Sequence, residues 1–491
     1  MDREAFFELC RQTGAAPFEA SFQEKDGSFF VGCRGEKEEL LAICGPLADA
    51  FHGMDVGAIR LCPRSEETVA ALGRIFPWLL PVSTEGHNLT IGFGDRLGIV
   101  TASHIASIEG TEIFPVLAQQ SKRELSLTGR SFVDMLADVS WQVFKCGYQK
   151  GFAADGDHLK TLDEVEQALS MGASMITLDC SEHIDNSVSR FADAQLRRFC
   201  EDRFAAGQLE SWRRRYAGKC FPVGEGEVSF TTEELYRTLA LYGGALDFIE
   251  KVYKEVLIKA PKRVTFEISI DETDTTTAPS AHYFIAAELI SRGVSFDSMA
   301  PRFCGEFQKG IDYIGDLEQL DRDVSAHAAI AEHFGYRISV HSGSDKFSAF
   351  PVIGKHCLGK FHLKTSGTSW VEALRVIAAA DPTLFRRLMH CAKEHFKEAK
   401  MYYHVSASSD RVPEPESVND ETLPSLLDEA DARQLMHIAY GFLLQEKGPD
   451  GRFLFRDMIY KTLCDEHAAL REVIVRHFLR HYQALGIERS E

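Results

Sequence analysis

The chain has 491 residues, of which 45% are apolar and 26% charged, a composition that fills a large buried core and excludes a disordered class. Its 54 Lys and Arg against 73 Asp and Glu leave a formal charge of −19, which argues against a nucleic-acid partner and means that an acidic substrate would need a local cationic pocket. No apolar run approaches the roughly 20 residues that cross a bilayer, the start Met1-Asp2-Arg3-Glu4 lacks a basic and then apolar leader, and the twelve cysteines include no C-x-x-C pair, so the expectation is a cytoplasmic protein with reduced thiols and no membrane partner.

Residues 1–90 mix a short alternating segment, Ser28-Phe-Phe-Val31, with a helical stretch expected over 38–51, and read as a small N-terminal α/β domain. From 91 to 491 short apolar runs end in polar residues and are followed by amphipathic helices. Strands are expected at 97–102, 114–119, 143–152 and 175–179. Thr161-Leu-Asp-Glu164 has the pattern of a capping box that opens a helix, and Gly172 closes it. Residues of about 182–260 are charged and helical, for example over 196–216, and read as an insertion. Beyond Pro261 the alternation is regular: a strand over 264–271, a helix over 280–292, then strands at 294–300, 336–341, 360–365 and 401–406. Helix-length connections demand parallel pairing. These nine candidates exceed the eight of a closed barrel by one, and the fold class expected is α/β, a (β/α)8 TIM-like barrel with an N-terminal α/β extension and a helical insertion. A doubly wound open sheet is the alternative.

A barrel collects its chemistry at the C-terminal ends of its strands. The polar residues that fall there are His104, Gln119, Asp157 with His158, Asp179, Glu267 with Asp271, Arg302, Glu306, His341, Lys364 and His404. His158 lies in Asp155-Gly-Asp-His158, read as an acid-rich loop before a helix, and His341 ends an apolar strand. Glu267 sits inside an apolar strand, where a carboxylate must be protonated, paired or metal-bound; an inward ion pair with a lysine such as Lys364 is the plain structural alternative. Asp271 belongs to a Thr-rich acidic loop that could equally cap the next helix. The stretch from Arg302 to Lys309 offers one guanidinium fork and two oxygen ligands, and Arg302 suits a substrate carboxylate. Two histidines with carboxylate or amide oxygens make an open site for Zn, Mn, Co or Ni. Gly92-Phe-Gly-Asp-Arg-Leu-Gly98 misses the dinucleotide-binding spacing and precedes its apolar run, and neither a Walker sequence nor a serine nucleophile elbow is present.

Seven ordered segments, Gly92–Gly98, Gly156-Asp-His-Leu-Lys-Thr161, Ile270-Asp-Glu-Thr-Asp274, Ala300-Pro-Arg-Phe303, Gly310-Ile-Asp-Tyr-Ile-Gly315, His341-Ser-Gly-Ser-Asp-Lys-Phe347 and His362-Leu-Lys-Thr365, together resemble the tagaturonate/fructuronate epimerase family. The resemblance runs from about Gly92 past Ser406. It implies a divalent-metal isomerase that interconverts two hexuronates by inversion at C4. Carried over residue by residue, it makes Asp157 the proton acceptor, Glu267 the donor, and His158 and His341 metal ligands. A third ligand is Glu306, which charge favours, or Gln308, which the family's spacing favours. Arg302, Lys364, Asp271 and His404 are the substrate-binding candidates, and the sequence allows an oligomer. Because C4 is not adjacent to the ketone at C2, retro-aldol cleavage and re-addition is the chemistry expected. A metal-dependent ketose isomerase or a class II type aldolase acting on a sugar acid is the alternative.

Overall fold

The computed structural model describes residues 2–36 and 38–490. Eight strands, β1 (Leu89–Gly92), β2 (Phe114–Ser121), β3 (Ala153–Leu159), β4 (Met175–Asp179), β5 (Thr265–Ser269), β6 (Ser298–Ala300), β7 (Arg337–Val340) and β8 (Phe361–Lys364), follow one another around a closed ring. Every neighbouring pair is parallel, β8 closes on β1, and at least one helix lies in each connection, so the expected barrel is present. Pleating sends alternate side chains to opposite faces. Ile176, Leu178, Phe266 and Ile268 join the surrounding hydrophobic core, while Thr177 and Glu267 between them meet inside the ring.

An antiparallel sheet precedes the barrel, ordered Ala16–Pro17, Ser28–Arg34, Glu39–Cys44, Ile59–Pro63 and Met54–Val56, with Gln23–Lys25 on Ser28–Arg34. Val31, Cys33, Ala42, Ile59 and Leu61 pack with Phe6, Phe7 and Cys10 of the helix Arg3–Gln12. Phe30, Leu41 and Ile43 face the other way and merge with the barrel core. The sheet is therefore apolar on both faces. Between β4 and β5 the chain forms helices Asp193–Arg203 and Ala206–Tyr216, a hairpin of Cys220–Val223 and Gly226–Ser229, and the long helix Thr232–Glu255. Trp212 and Tyr216 each donate to the buried Glu288 carboxylate at 2.7 Å, which ties this segment to helix Pro279–Ser291. No helix among the described residues is long and apolar enough to cross a membrane.

Several local expectations are corrected. Residues 38–51 contain a strand, Glu39–Cys44, and a 3-10 turn rather than a helix. Residues 97–102 form no strand: the Asp95 carboxylate accepts from the backbone N–H groups of Leu97, Gly98, Val100 and Thr101 at 2.7–3.2 Å and folds the segment into a loop before helix Thr101–Ser107. Residues 143–152 are the end of helix Phe132–Cys146, capped by Gly147 at φ 61, and a following loop. Residues 401–406 have no regular structure, with Met401 and Tyr402 exposed. The strands β1 and β3 stand where none was expected, and Asp155 to His158 lie on β3 rather than in a loop. Thr161 does accept from the Glu164 N–H at 3.2 Å, but Glu164 turns back to the Lys160 N–H at 2.8 Å, one residue earlier than in a capping box.

Candidate active site

Inward-facing positions near the C-terminal end of the ring carry most of its ionisable groups. Lys364 on β8 is their hub. Its ammonium lies 2.6 Å from Asp157, 3.1 Å from Asp155, 3.0 Å from Glu267 and 2.6 Å from the Thr177 hydroxyl. Glu267, with no accessible surface, also accepts from Ser298 at 2.7 Å and meets His341 Nε2 at 2.9 Å. Burial opposes its charge, but Lys364 and His341 outweigh burial and hold the carboxyl well below its ordinary range. Asp155 goes the other way: burial, reinforced by Asp157 and Glu267 against the pull of Lys364, lifts it to about 6. Burial likewise works against a charged His341, yet Asp271 and Glu267 raise it to about 10 despite Lys364.

The rim above this layer is shaped by an irregularity in β3. Ile176 pairs with Gly156 but Leu178 with Leu159, so Asp157 and His158 occupy a bulge, and His158 takes φ 56, a left-handed conformation costly for a residue with a Cβ. The bulge lets successive residues serve the same site. Asp157 reaches Lys364, while His158 places Nδ1 at 3.6 Å from Asp179 and its ring 5.0 Å from that of His341. His341 Nδ1 is 3.1 Å from Asp271 Oδ2, out of line for a hydrogen bond, and is a buried nitrogen without a partner.

That orphan bears on the fit of a metal. A Nε2–H donated to Glu267 leaves Nδ1 of His341 as the coordinating atom, which is the carboxylate–histidine arrangement common around metal ligands. His158, Asp157, Asp179 and Asp271 supply nitrogen and hard oxygen donors around it, with more carboxylates than cations. The residues fit a divalent ion. Elsewhere among the described residues, three groups bring potential ligand atoms within 4.8 Å of one another: Asp345, His477 and His481; Cys391, His395 and Glu446; His390, Glu414 and Glu416. In the first, the Asp345 carboxylate already meets Arg433 and Thr368, and both nitrogens of His481 are engaged by backbone groups.

Loops after β5, β6 and β7 enclose a cavity of about 290 Å³ lined by His341, Asp271, Arg302, Glu306, Gln308, Lys309 and His404, among others. Glu306 accepts from Gln308 at 2.8 Å and meets His404 at 3.1 Å. Gln308 turns its oxygen to the Ser406 N–H at 2.8 Å and to Gln434 at 3.0 Å. Arg302 donates to the Thr273 carbonyl. Lys346 donates to the carbonyls of Gln308, Ile311 and Ser344 at 2.6–2.8 Å and so fastens the loop of Gln308 to that of His341.

A sequence profile of the tagaturonate epimerase family matches residues 18–485. The chain is 37% identical over 479 residues to the tagaturonate/fructuronate epimerase of Thermotoga maritima, covering 96% of this chain and 97% of that one. This chain belongs to the tagaturonate epimerase family. The native crystal structure of fructuronate-tagaturonate epimerase from Cohnella laeviribosi superposes with a TM-score of 0.95 at 41% identity, covering 99% of both chains, and a complex of that enzyme with one glycerol gives the same values. As a member of this epimerase family the chain is an isomerase.

Of the residues singled out from the sequence, those of the epimerase barrel converge unevenly. Asp157, His158, Asp179, Glu267, Asp271, His341 and Lys364 form one contiguous group, whereas Glu306, Gln308 and His404 form a chain of their own on another wall of the cavity. His404 has 82% of its side chain exposed. His104 lies elsewhere, buried on a helix with Nε2 on Ser369 at 2.7 Å and its ring stacked on Phe93. Gln119 is buried on β2 against Gly92, where a Cβ would meet its oxygen at 2.4 Å. Asp155, Thr177, Ser298 and Lys309 were missed. Asp155 was detectable in principle, since two residues before Asp157 on a strand is the same face.

Proposed function

We propose that this site interconverts D-tagaturonate and D-fructuronate by inversion at C4, with Asp157 and Glu267 as its proton-exchanging carboxylates. His158 and His341 would hold a divalent ion, and the family resemblance adds Glu306 or Gln308, each of which would have to leave its present partners to join them. The observation that carries the reading is that Asp157 and Glu267 share the Lys364 ammonium, at 2.6 and 3.0 Å, beside two imidazoles whose rings are 5.0 Å apart.

The substrate dictates the rest. The C4 hydrogen is remote from the C2 ketone and barely acidic, but the C4 hydroxyl is β to that ketone. Asp157, which Lys364 and His158 keep ionised against the cost of burial, takes the O4 proton. The C3–C4 bond then breaks, its electron pair passing into an enediolate over C2 and C3, and C4 becomes the aldehyde of tartronate semialdehyde. Turning that aldehyde and re-forming the bond on its other face inverts C4 and returns the proton to O4. Glu267 has no accessible surface, so it exchanges protons through Lys364, and its hydrogen bond also fixes the orientation of His341. A bound divalent cation would supply Lewis-acid stabilisation of the charge on O2 and O3.

A substrate labelled with deuterium at C4 tests the carbon chemistry: the label is expected to survive epimerisation, and washout at the rate of turnover would replace cleavage with direct deprotonation. Dialysis against a chelator is expected to abolish activity and Zn, Mn, Co or Ni to restore it. Full activity in metal-free protein would remove the cation from the reading.

A further inference from the structure

Lys309 follows Gln308 in the loop after β6 and lines the same cavity as His341 and Arg302. Its side chain is half-buried, and among the described residues its ammonium makes no hydrogen bond and has no carboxylate within 4 Å. The neighbouring cations are all engaged. Lys364 is shared by three carboxylates, Lys346 by three carbonyls, and Arg96 is held by Glu124. Arg302 donates to Thr273, and Arg123 donates to the Tyr402 carbonyl while lying over the Tyr403 ring. A half-buried cation on a cavity wall with no protein counter-charge is available to an anionic ligand.

The layout of charge says what that ligand must be. The deep wall, with Asp157, Asp179, Glu267 and Asp271, repels an anion, so the carboxylate of a sugar acid must point away from it. On the function proposed above, that carboxylate is two bonds from C4, on the fragment that turns while C3 and C4 are apart. A fragment that rotates at one end needs an anchor at the other. We propose that Lys309 binds the substrate carboxylate and sets the preference of this site for sugar acids over neutral sugars.

The test uses the full-length enzyme and its Lys309→Met and Lys309→Arg variants. Calorimetric titration with galactonate and with galactitol, its neutral counterpart, separates the carboxylate from the rest of the sugar. Wild-type protein is expected to bind galactonate, Lys309→Met to bind it about 30-fold more weakly with galactitol affinity unchanged, and Lys309→Arg to recover most of the loss. In turnover of tagaturonate the same variant should raise KM more than it lowers kcat. Equal loss for both ligands, unaltered galactonate binding in Lys309→Met, or no galactonate binding by the wild type overturns the assignment. A wild-type protein that binds galactonate through Lys309 but does not turn over tagaturonate would instead reject the proposed reaction and leave the carboxylate site standing. Because Lys309 has no protein partner to lose, Lys309→Met should melt no lower than the wild type.

Discussion

Four oxygens lie within 3.1 Å of the Lys364 ammonium, so its loss strands three buried carboxylates at once. Lys364→Met would leave Asp155, Asp157 and Glu267 buried without their cation, and breaking a buried ion pair in this way costs about 3–5 kcal/mol. Urea unfolding should show a loss of that size, and a variant as stable as the wild type would mean that the three carboxylates take up protons or water freely. Glu267→Gln is milder, since the amide keeps the shape and an acceptor for Ser298. It should fold, bind galactonate, and lose about 10²- to 10⁴-fold in kcat, the range by which a positioned acid or base accelerates proton transfer. Retention of kcat within a few-fold would take Glu267 out of the proton path and leave it as the residue that orients His341.

At the scale of single elements, the loop after β1 shows what a motif without chemistry can be for. Asp95 in Gly92–Gly98 collects four backbone N–H groups, and Arg96 pairs with Glu124 over the ring of Tyr440. Asp95→Ala should therefore cost about 3 kcal/mol in chemical denaturation, because the N–H groups lose a charged acceptor and cannot all reach water; a change under about 1 kcal/mol would show that the loop re-forms around solvent. The same elements explain what could be read from the chain alone. β2 and β4 to β8 carry apolar residues on the outward face and were legible from them. β3 was hidden because its inward positions are Asp155 and Asp157 and its bulge at His158 breaks the period of two. β1 has only four residues, Thr90 and Gly92 among them, too short for a pattern. Glu267, His341 and Lys364 were legible as polar residues in or at the end of expected strands, and Asp157 from an acid-rich segment read as a loop. Lys309 was not, since its distinction is the absence of a partner, a property of three-dimensional surroundings.

For the whole molecule, the net charge of −19 and the cation-lined cavity act in opposite senses, and pH sets the balance between buried groups of both kinds. Burial lowers His104 to about 4, against a weak pull from Asp95, and lowers His362 and His481 to about 3. Each is a base whose folded pKa lies below the unfolded value of 6.5, so the unfolded chain binds the extra proton first as the pH falls. Their contribution is complete above pH 6.5 and is lost on the way down to about 3, on the order of 3 kcal/mol for His104 alone. Asp271 acts in the same sense at lower pH: burial opposes its charge, His341 outweighs it, and the folded value falls to about 2. Asp155, raised to about 6, works oppositely between 3.8 and 6 and offsets part of the acid limb. His341, raised to about 10, contributes stability that is complete below 6.5 and disappears as the pH rises through 10. Chelated protein should accordingly be most stable near pH 6.5 to 7, losing stability toward acid and falling steadily on the alkaline side until about pH 10, in urea titrations from pH 4 to 10.5. A profile flat down to pH 4 would mean that the buried imidazoles accept protons without penalty, and a flat alkaline limb that His341 is already neutral in the resting site.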